Sequence, residues 1–166
     1  MGSGDCEIAD SGVTQALTEA DRDALRTNPL LAGLPPTQFS SFVVYLALHL
    51  SHRGEFVVRE GDDGCAMYFM LVGRAQVRRG TLELHPVEPP RHFGELAFMG
   101  LRRRAASIEA QTDLRLCRLD RGGFERMGRD HPGIALEFLR RLVTSVGETL
   151  VEVTDSVSQL LRERSL

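Results

Sequence analysis

Two rhythms of apolar residues alternate along this chain, and each change of rhythm marks a change of element. Residues 1–17 follow neither: they are small and polar, and read as a flexible arm headed by a cloning-vector remnant, Met1-Gly2-Ser3-Gly4. Thr18, with Asp21 three residues on, gives an N-cap and an acidic first turn. That helix is expected to stop before Asn28-Pro29, because a proline pushes the preceding residue out of the helical region. Leu30 to Leu34 forms a short apolar turn, and Pro35 and Pro36 suit a new helix start. Phe39, Phe42, Val43, Leu46 and Leu50 then recur at helical spacing, which predicts a helix to about His49.

From residue 52 to 120 the helical period gives way to short apolar runs broken by Gly, Asp and Pro. Phe56-Val57-Val58 ends at Glu60-Gly61-Asp62-Asp63-Gly64, and Met67 to Val72 ends at Gly73. Ala75-Gln76-Val77, Leu82-Glu83-Leu84, Ser107 to Ala110 and Leu114 to Leu119 follow. Strands this short at such regular spacing predict an antiparallel, jelly-roll-like β-barrel.

After Asp120 the helical period returns, with a short helix from Phe124 to Met127 closed by Gly128 and a long one from about Pro132 to Leu161. Within the long helix Val143, Val146, Leu150, Val153, Val157 and Leu160 alternate spacings of three and four, a heptad seam. Such a seam can pair with a second protomer as a homodimer, or pack on the barrel or on other parts of a parent protein. The expected fold class is α+β: helices over about 18–50, the barrel over about 52–120 and C-terminal helices over about 121–162.

Composition narrows the function more than the fold. At 166 residues, 42% of them hydrophobic, the chain holds one ordinary core and reads as one domain with tails. A net charge of -3 without a long basic run lacks the footprint of a nucleic-acid binder, although Arg102, Arg103 and Arg104 cluster locally. The stretch after Leu161 is too short for a helix-turn-helix. No apolar stretch is long enough for a membrane span, so no direct membrane insertion is expected. Cys6, Cys65 and Cys117 show no metal-ligand spacing and read as reduced thiols of a cytoplasmic protein, with Cys65 and Cys117 in the core. His49, His52, His85, His92 and His131 pair with no nucleophile or metal ligand at any familiar spacing, so neither an enzyme, a metal site nor a cofactor is expected.

One segment does carry chemistry: Phe93-Gly94-Glu95-Leu96-Ala97, followed by Arg104-Ala105-Ala106-Ser107-Ile108. An arginine in such a segment can clamp a phosphate bidentately, and N–H groups at a helix start can hold the same anion. A carboxylate beside an anion is repelled unless the ligand also offers hydroxyls, and a sugar phosphate meets both demands. Apolar neighbours draw Glu95 and Arg104 inward. The competing reading is an internal Glu95–Arg104 ion pair that only pins the loop.

The run from Phe93 to Ile108 resembles the phosphate-binding cassette of the cyclic nucleotide-binding domain family, shared by regulatory subunits of the cAMP-dependent kinase, catabolite-activator-type regulators and cyclic-nucleotide-gated channels. The resemblance covers about residues 28–150 and includes Gly54-Glu55, Glu60-Gly61-Asp62 and Tyr68 to Gly73. It implies that Glu95 accepts the ribose 2′-hydroxyl and Arg104 clamps the exocyclic phosphate oxygens. Gly94, Leu96, Ala97 and Ala106 complete the cradle through backbone N–H groups. The family's long C-terminal helix closes over the base, which makes Arg140, Arg141 and Leu142 candidate lid residues. Members that favour cGMP tend to carry Thr where this chain has Ala105, so the resemblance leans to cAMP, with cGMP as the other ligand. Arg103 replaces a frequent proline, which implies a loop less constrained before binding, and Phe98 replaces a usual leucine.

The implied function is a non-catalytic sensor that relays cyclic-nucleotide binding through its C-terminal helix. The alternative is an interaction or dimerisation module of the same fold that has lost nucleotide binding. The amphipathic tail resembles modules appended to bacterial transporters of the sulfate-permease type, to glutaminases or to channels, so the parent can be a membrane protein.

Overall fold

The computed structural model describes residues 16–101 and 103–164. Most of the expected arm over 1–17 therefore lies outside the described residues, as do Cys6 and Arg102.

Thr18 caps α1 (Glu19–Arg26) as its sequence implies: its hydroxyl accepts from Asp21 N–H at 3.2 Å, and the Asp21 carboxylate accepts from Thr18 N–H at 2.8 Å. The same carboxylate takes both ends of a fork from Arg115, at 2.6 and 2.7 Å, and so ties α1 to the strand that carries Arg115. That partner holds the Asp21 carboxyl down at about 2.

The second helix, α2 (Pro36–Val43), starts at the prolines but ends six residues before His49, which corrects the expected helix. The chain turns at Val44 and enters β1 (Ala47–Ser51), whose five residues pair in continuous register with Leu114–Arg118. The spacing from Leu46 to Leu50 is accidental. A step of four residues is also two periods of a strand, so Leu46 and Leu50 fit a strand's spacing as well as a helix's.

Seven more strands follow: β2 (Phe56–Val58), β3 (Ala66–Val72), β4 (Ala75–Arg79), β5 (Leu82–Val87), β6 (His92–Phe93), β7 (Ser107–Ala110) and β8 (Leu114–Asp120). They pair antiparallel as two four-stranded sheets, β1-β8-β3-β6 and β2-β7-β4-β5. The jelly-roll-like expectation stands in this form. Among the described residues the strands form these two sheets and no closed barrel.

Strand β3 explains where the core sits. Tyr68 and Met70 point into the space between the sheets with Val77, Phe93, Ile108 and Leu116. Met67, Phe69 and Leu71 point the other way, onto Phe39, Phe42, Phe138 and Leu142 of the helices. Burial on both faces is why Met67 to Val72 reads as an unbroken apolar run. Each large side chain so buried contributes about 1.5–3 kcal/mol of transfer free energy.

Between the sheets' last segments lies α3 (Glu95–Phe98), and after β8 come α4 (Arg121–Asp130) and α5 (Pro132–Arg164). Helix α4 runs through Gly128, which corrects the expected stop there. Asp120 caps its start by accepting from Gly123 N–H at 2.7 Å, and the end falls at His131, before Pro132. In α5, Ile134, Ala135, Phe138 and Leu142 are buried against the domain, whereas Val143, Leu150, Val153, Val157 and Leu160 are each about half exposed or more. Among the described residues no helix is long and apolar enough to cross a membrane. Cys117 is a free thiol, fully buried, and burial pushes it up to about 12. Cys65 is disulfide-bonded, not the reduced thiol expected.

Candidate functional site

The site is built where β6 hands the chain to α3. Gly94 sits at φ +85, a left-handed conformation that glycine adopts without strain, and turns the backbone directly into Glu95. The cassette's far end is stapled to the turn after β2. Gly61 N–H donates to Arg104 O at 2.9 Å, Arg104 N–H donates to Asp62 O at 2.8 Å, and Arg103 Nη1 donates to Gly61 O at 3.0 Å. These bonds tie Arg103 and Arg104 to that turn.

Arg104 is folded inward and only 8% exposed. Its Nη1 donates to Ala66 O at 2.7 Å and more loosely to Gly94 O at 3.4 Å. The guanidinium lies against Gly64, where an added Cβ would stand 2.3 Å from Nε. The sequence shows Gly64 only as the end of a turn; its φ is not positive, so the close approach of the guanidinium, which no sequence signal reveals, is what a side chain there would disturb. Burial lowers the Arg104 guanidinium from its ordinary value. Nothing neutralises it directly: among the described residues no carboxylate forms an ion pair with it, so the ion-pair reading of Glu95 and Arg104 does not hold. With Nη1 occupied, the Nε–Nη2 edge keeps its N–H groups without an acceptor among the described residues.

Glu95 is half-buried in the first turn of α3, and burial, partly opposed by its own backbone N–H and the Arg104 charge, raises its carboxyl. Leu96 N–H and Ala97 N–H open the same turn, with Ala97 buried. Of the other cradle residues, Ala105 is exposed and Ala106 packs on the inner core. A buried cation with an unused fork, a nearby half-buried carboxylate and a bare helix start are what an anionic, hydroxyl-bearing ligand requires.

A family model described as "Cyclic nucleotide-binding domain" matches residues 50–131. Those residues belong to the cyclic nucleotide-binding domain family. Among curated proteins, the chain is similar to the cAMP-dependent protein kinase regulatory subunit of Emericella nidulans, 34% identical over 60% of this chain and 24% of that protein. It is also similar to a cGMP-dependent protein kinase of Caenorhabditis briggsae, 29% identical over 89% of this chain and 20% of that protein. The chain thus spans about a quarter or less of the length of these relatives. Among solved structures, the N-terminal domain of a Streptomyces coelicolor transcriptional regulator aligns with a TM-score of 0.69 at 27% identity, covering 81% of this chain and 95% of that one. A cyclic nucleotide-binding domain from Methylobacillus flagellatus aligns at 0.72, with 18% identity over 84% and 81%, and so shows the shared fold.

The cassette segment and the candidate lid residues stand in different surroundings. Arg141 donates to Ala32 O at 2.5 Å and to Glu137 at 2.7 Å, Arg140 pairs with Glu137, and Leu142 is fully buried. All three belong to the packing of α5 on the N-terminal turn and helices, and none meets a cassette residue through a described hydrogen bond or ion pair. The residue that does link cassette and helices is Phe98, which the resemblance marked only as a replacement for a usual leucine. Its ring meets Phe124 of α4 edge-on at 5.4 Å and Phe138 of α5 at 6.3 Å.

Proposed function

We propose that this chain is a non-catalytic sensor for a cyclic nucleotide, cAMP in preference to cGMP, and that it passes binding on to α5. The observation that carries the reading is Arg104: a buried guanidinium whose Nε–Nη2 edge has no acceptor among the described residues. Two parallel N–H donors match two phosphate oxygens. Glu95, on the same short segment, takes the ribose 2′-hydroxyl, and the N–H groups of Leu96, Ala97 and Ala106 complete the cradle.

The relay follows from packing. Phosphate drawn onto α3 shifts Phe98, and Phe98 cannot move without displacing Phe124 and Phe138. Two positions of α5 with different affinities for the ligand then constitute the coupling, ordinarily about 1–3 kcal/mol. The readout surface is the exposed seam of α5, from Val143 through Val146, Leu150, Val153 and Val157 to Leu160, which pairs with a second copy. The parent is a larger cytoplasmic or membrane-attached protein such as a transporter, channel or enzyme.

Melting curves with cAMP and cGMP test the reading. Ligand at a hundred times Kd stabilises by about 2.7 kcal/mol, a rise of about 5–10 °C for a domain of this size. A larger rise with cAMP supports the assignment, and no rise with either nucleotide refutes it. Light scattering of the intact chain tests the seam: a dimer that Leu150→Glu converts to a monomer is expected.

A further inference from the structure

Arg104 owes its position to more than the cassette. A guanidinium buried to 8% exposure with only two carbonyl contacts needs a further source of negative potential. Besides the charges of Asp62 and Glu95, the aromatic ring of Tyr68 is one such group: Arg104 Cζ stands over it, 5.9 Å from the centroid, within the range of a cation–π contact. Tyr68 is itself only 6% exposed, so water screens the contact little.

The ring is also held in place. Tyr68 lies opposite Phe93 in the β3–β6 register and stacks on it at 5.2 Å with an interplanar angle of 18°. The His49 ring of β1 meets it edge-on at 5.5 Å. Phe93 immediately precedes Gly94, the residue that turns the chain into Glu95 and whose carbonyl also accepts from Arg104. One aromatic pair therefore references both the arginine and the start of α3 to the rigid strand β3.

We infer that Tyr68, outside the cassette, is a positioning residue that holds the Arg104 guanidinium with its fork turned to the ligand phosphate, through the face of its ring. This inference rests on the cyclic-nucleotide reading of the Arg104 site. The hydroxyl is dispensable to the role and the electron-rich ring is not.

Fluorination tests this without altering shape. Phenylalanine and 3,4,5-trifluorophenylalanine are placed at position 68 of the chain, each with Arg104 and with Arg104→Gln. Melting temperature without nucleotide and cAMP affinity by calorimetry are read for each. Tyr68→Phe should bind within about two-fold of the unsubstituted chain, and the trifluoro form about two- to five-fold more weakly than Phe. Fluorination should lower the melting temperature by about 1–4 °C with Arg104 present and leave it unchanged with Arg104→Gln. An equal temperature change in both backgrounds, or equal cAMP affinity for the Phe and trifluoro forms, overturns the inference. The unsubstituted chain is titrated alongside: if it binds no cAMP, the nucleotide reading fails, and the melting comparison separately decides whether Tyr68 holds Arg104.

Discussion

Replacing Arg104 by lysine keeps a positive charge in the cassette and removes the fork. Arginine presents five N–H donors in a rigid plane, and here Nη1 is occupied by Ala66 O and Gly94 O. The Nε–Nη2 edge remains for two phosphate oxygens. A lysine ammonium that still reaches Ala66 O offers the phosphate a single contact from a point charge, so one charge-assisted hydrogen bond is lost. That bond is worth about 1.5–3 kcal/mol, and about 1.4 kcal/mol is a factor of ten, so the cAMP Kd should rise about ten- to a hundred-fold. Calorimetry at fixed ionic strength measures it, because phosphate contacts weaken with salt. An unliganded melting temperature close to that of the unsubstituted chain shows that the fold has survived. Arg104→Ala should lose at least as much as the lysine variant. A lysine variant that binds cAMP within about two-fold of the unsubstituted chain would refute the argument, since charge without geometry would then suffice.

Glu95→Ala should weaken cAMP binding less than Arg104→Ala, because removing the carboxylate also removes its repulsion of the phosphate; calorimetry on both variants decides the order. His92 is half-buried beside Phe69, its Nδ1 has no hydrogen-bond partner among the described residues, and burial lowers its imidazole to about 4 from 6.5. The folded form thus binds the proton more weakly than the unfolded one, so stability is full above pH 6.5 and falls as pH drops towards 4. The loss at pH 5 should be about 2 kcal/mol, and urea unfolding at pH 7 and 5 should show it shrinking in His92→Phe. Asp21→Asn breaks a fork whose carboxylate side is almost fully buried, and should cost about 2–3 kcal/mol by the same method at pH 7. Phe98→Ala should cost about 3–5 kcal/mol, whereas Phe98→Leu should keep the fold and reduce the response of α5 to cAMP, read as a smaller nucleotide-induced change in seam labelling.

The chain's sequence displays its elements unevenly, and the physical reasons are local. The Thr18–Asp21 cap, the run Met67 to Val72 and the long C-terminal helix are legible because each rests on bonds or burial within a few residues. Strand β1 is not, because its pairing with β8 joins segments far apart in sequence, and the Leu46–Leu50 step imitates a helical one. Strand β6, only His92–Phe93, is too short to show any period. At the site, Glu95 and Arg104 stand out as charges among apolar neighbours. What holds Arg104 does not: Ala66 O and Gly94 O are backbone atoms, invisible in side-chain patterns, and Gly64 and Tyr68 come from a strand and turn well outside the cassette. The surroundings of the candidate lid residues are hidden in the sequence for a similar reason. Arg140 and Arg141 look like ligand-seeking charges, yet Glu137 and the carbonyls of Leu30 and Ala32 already engage them.

Parallel titration of the intact chain with cAMP and 2′-deoxy-cAMP tests the central claim most directly, because the two ligands share the phosphate and differ only where Glu95 should act. Saturable binding of cAMP, with the deoxy form about ten-fold weaker for one lost charge-assisted hydrogen bond, is the predicted result. Equal affinity for the two would contradict the ribose role of Glu95, and no binding of either would contradict the site itself.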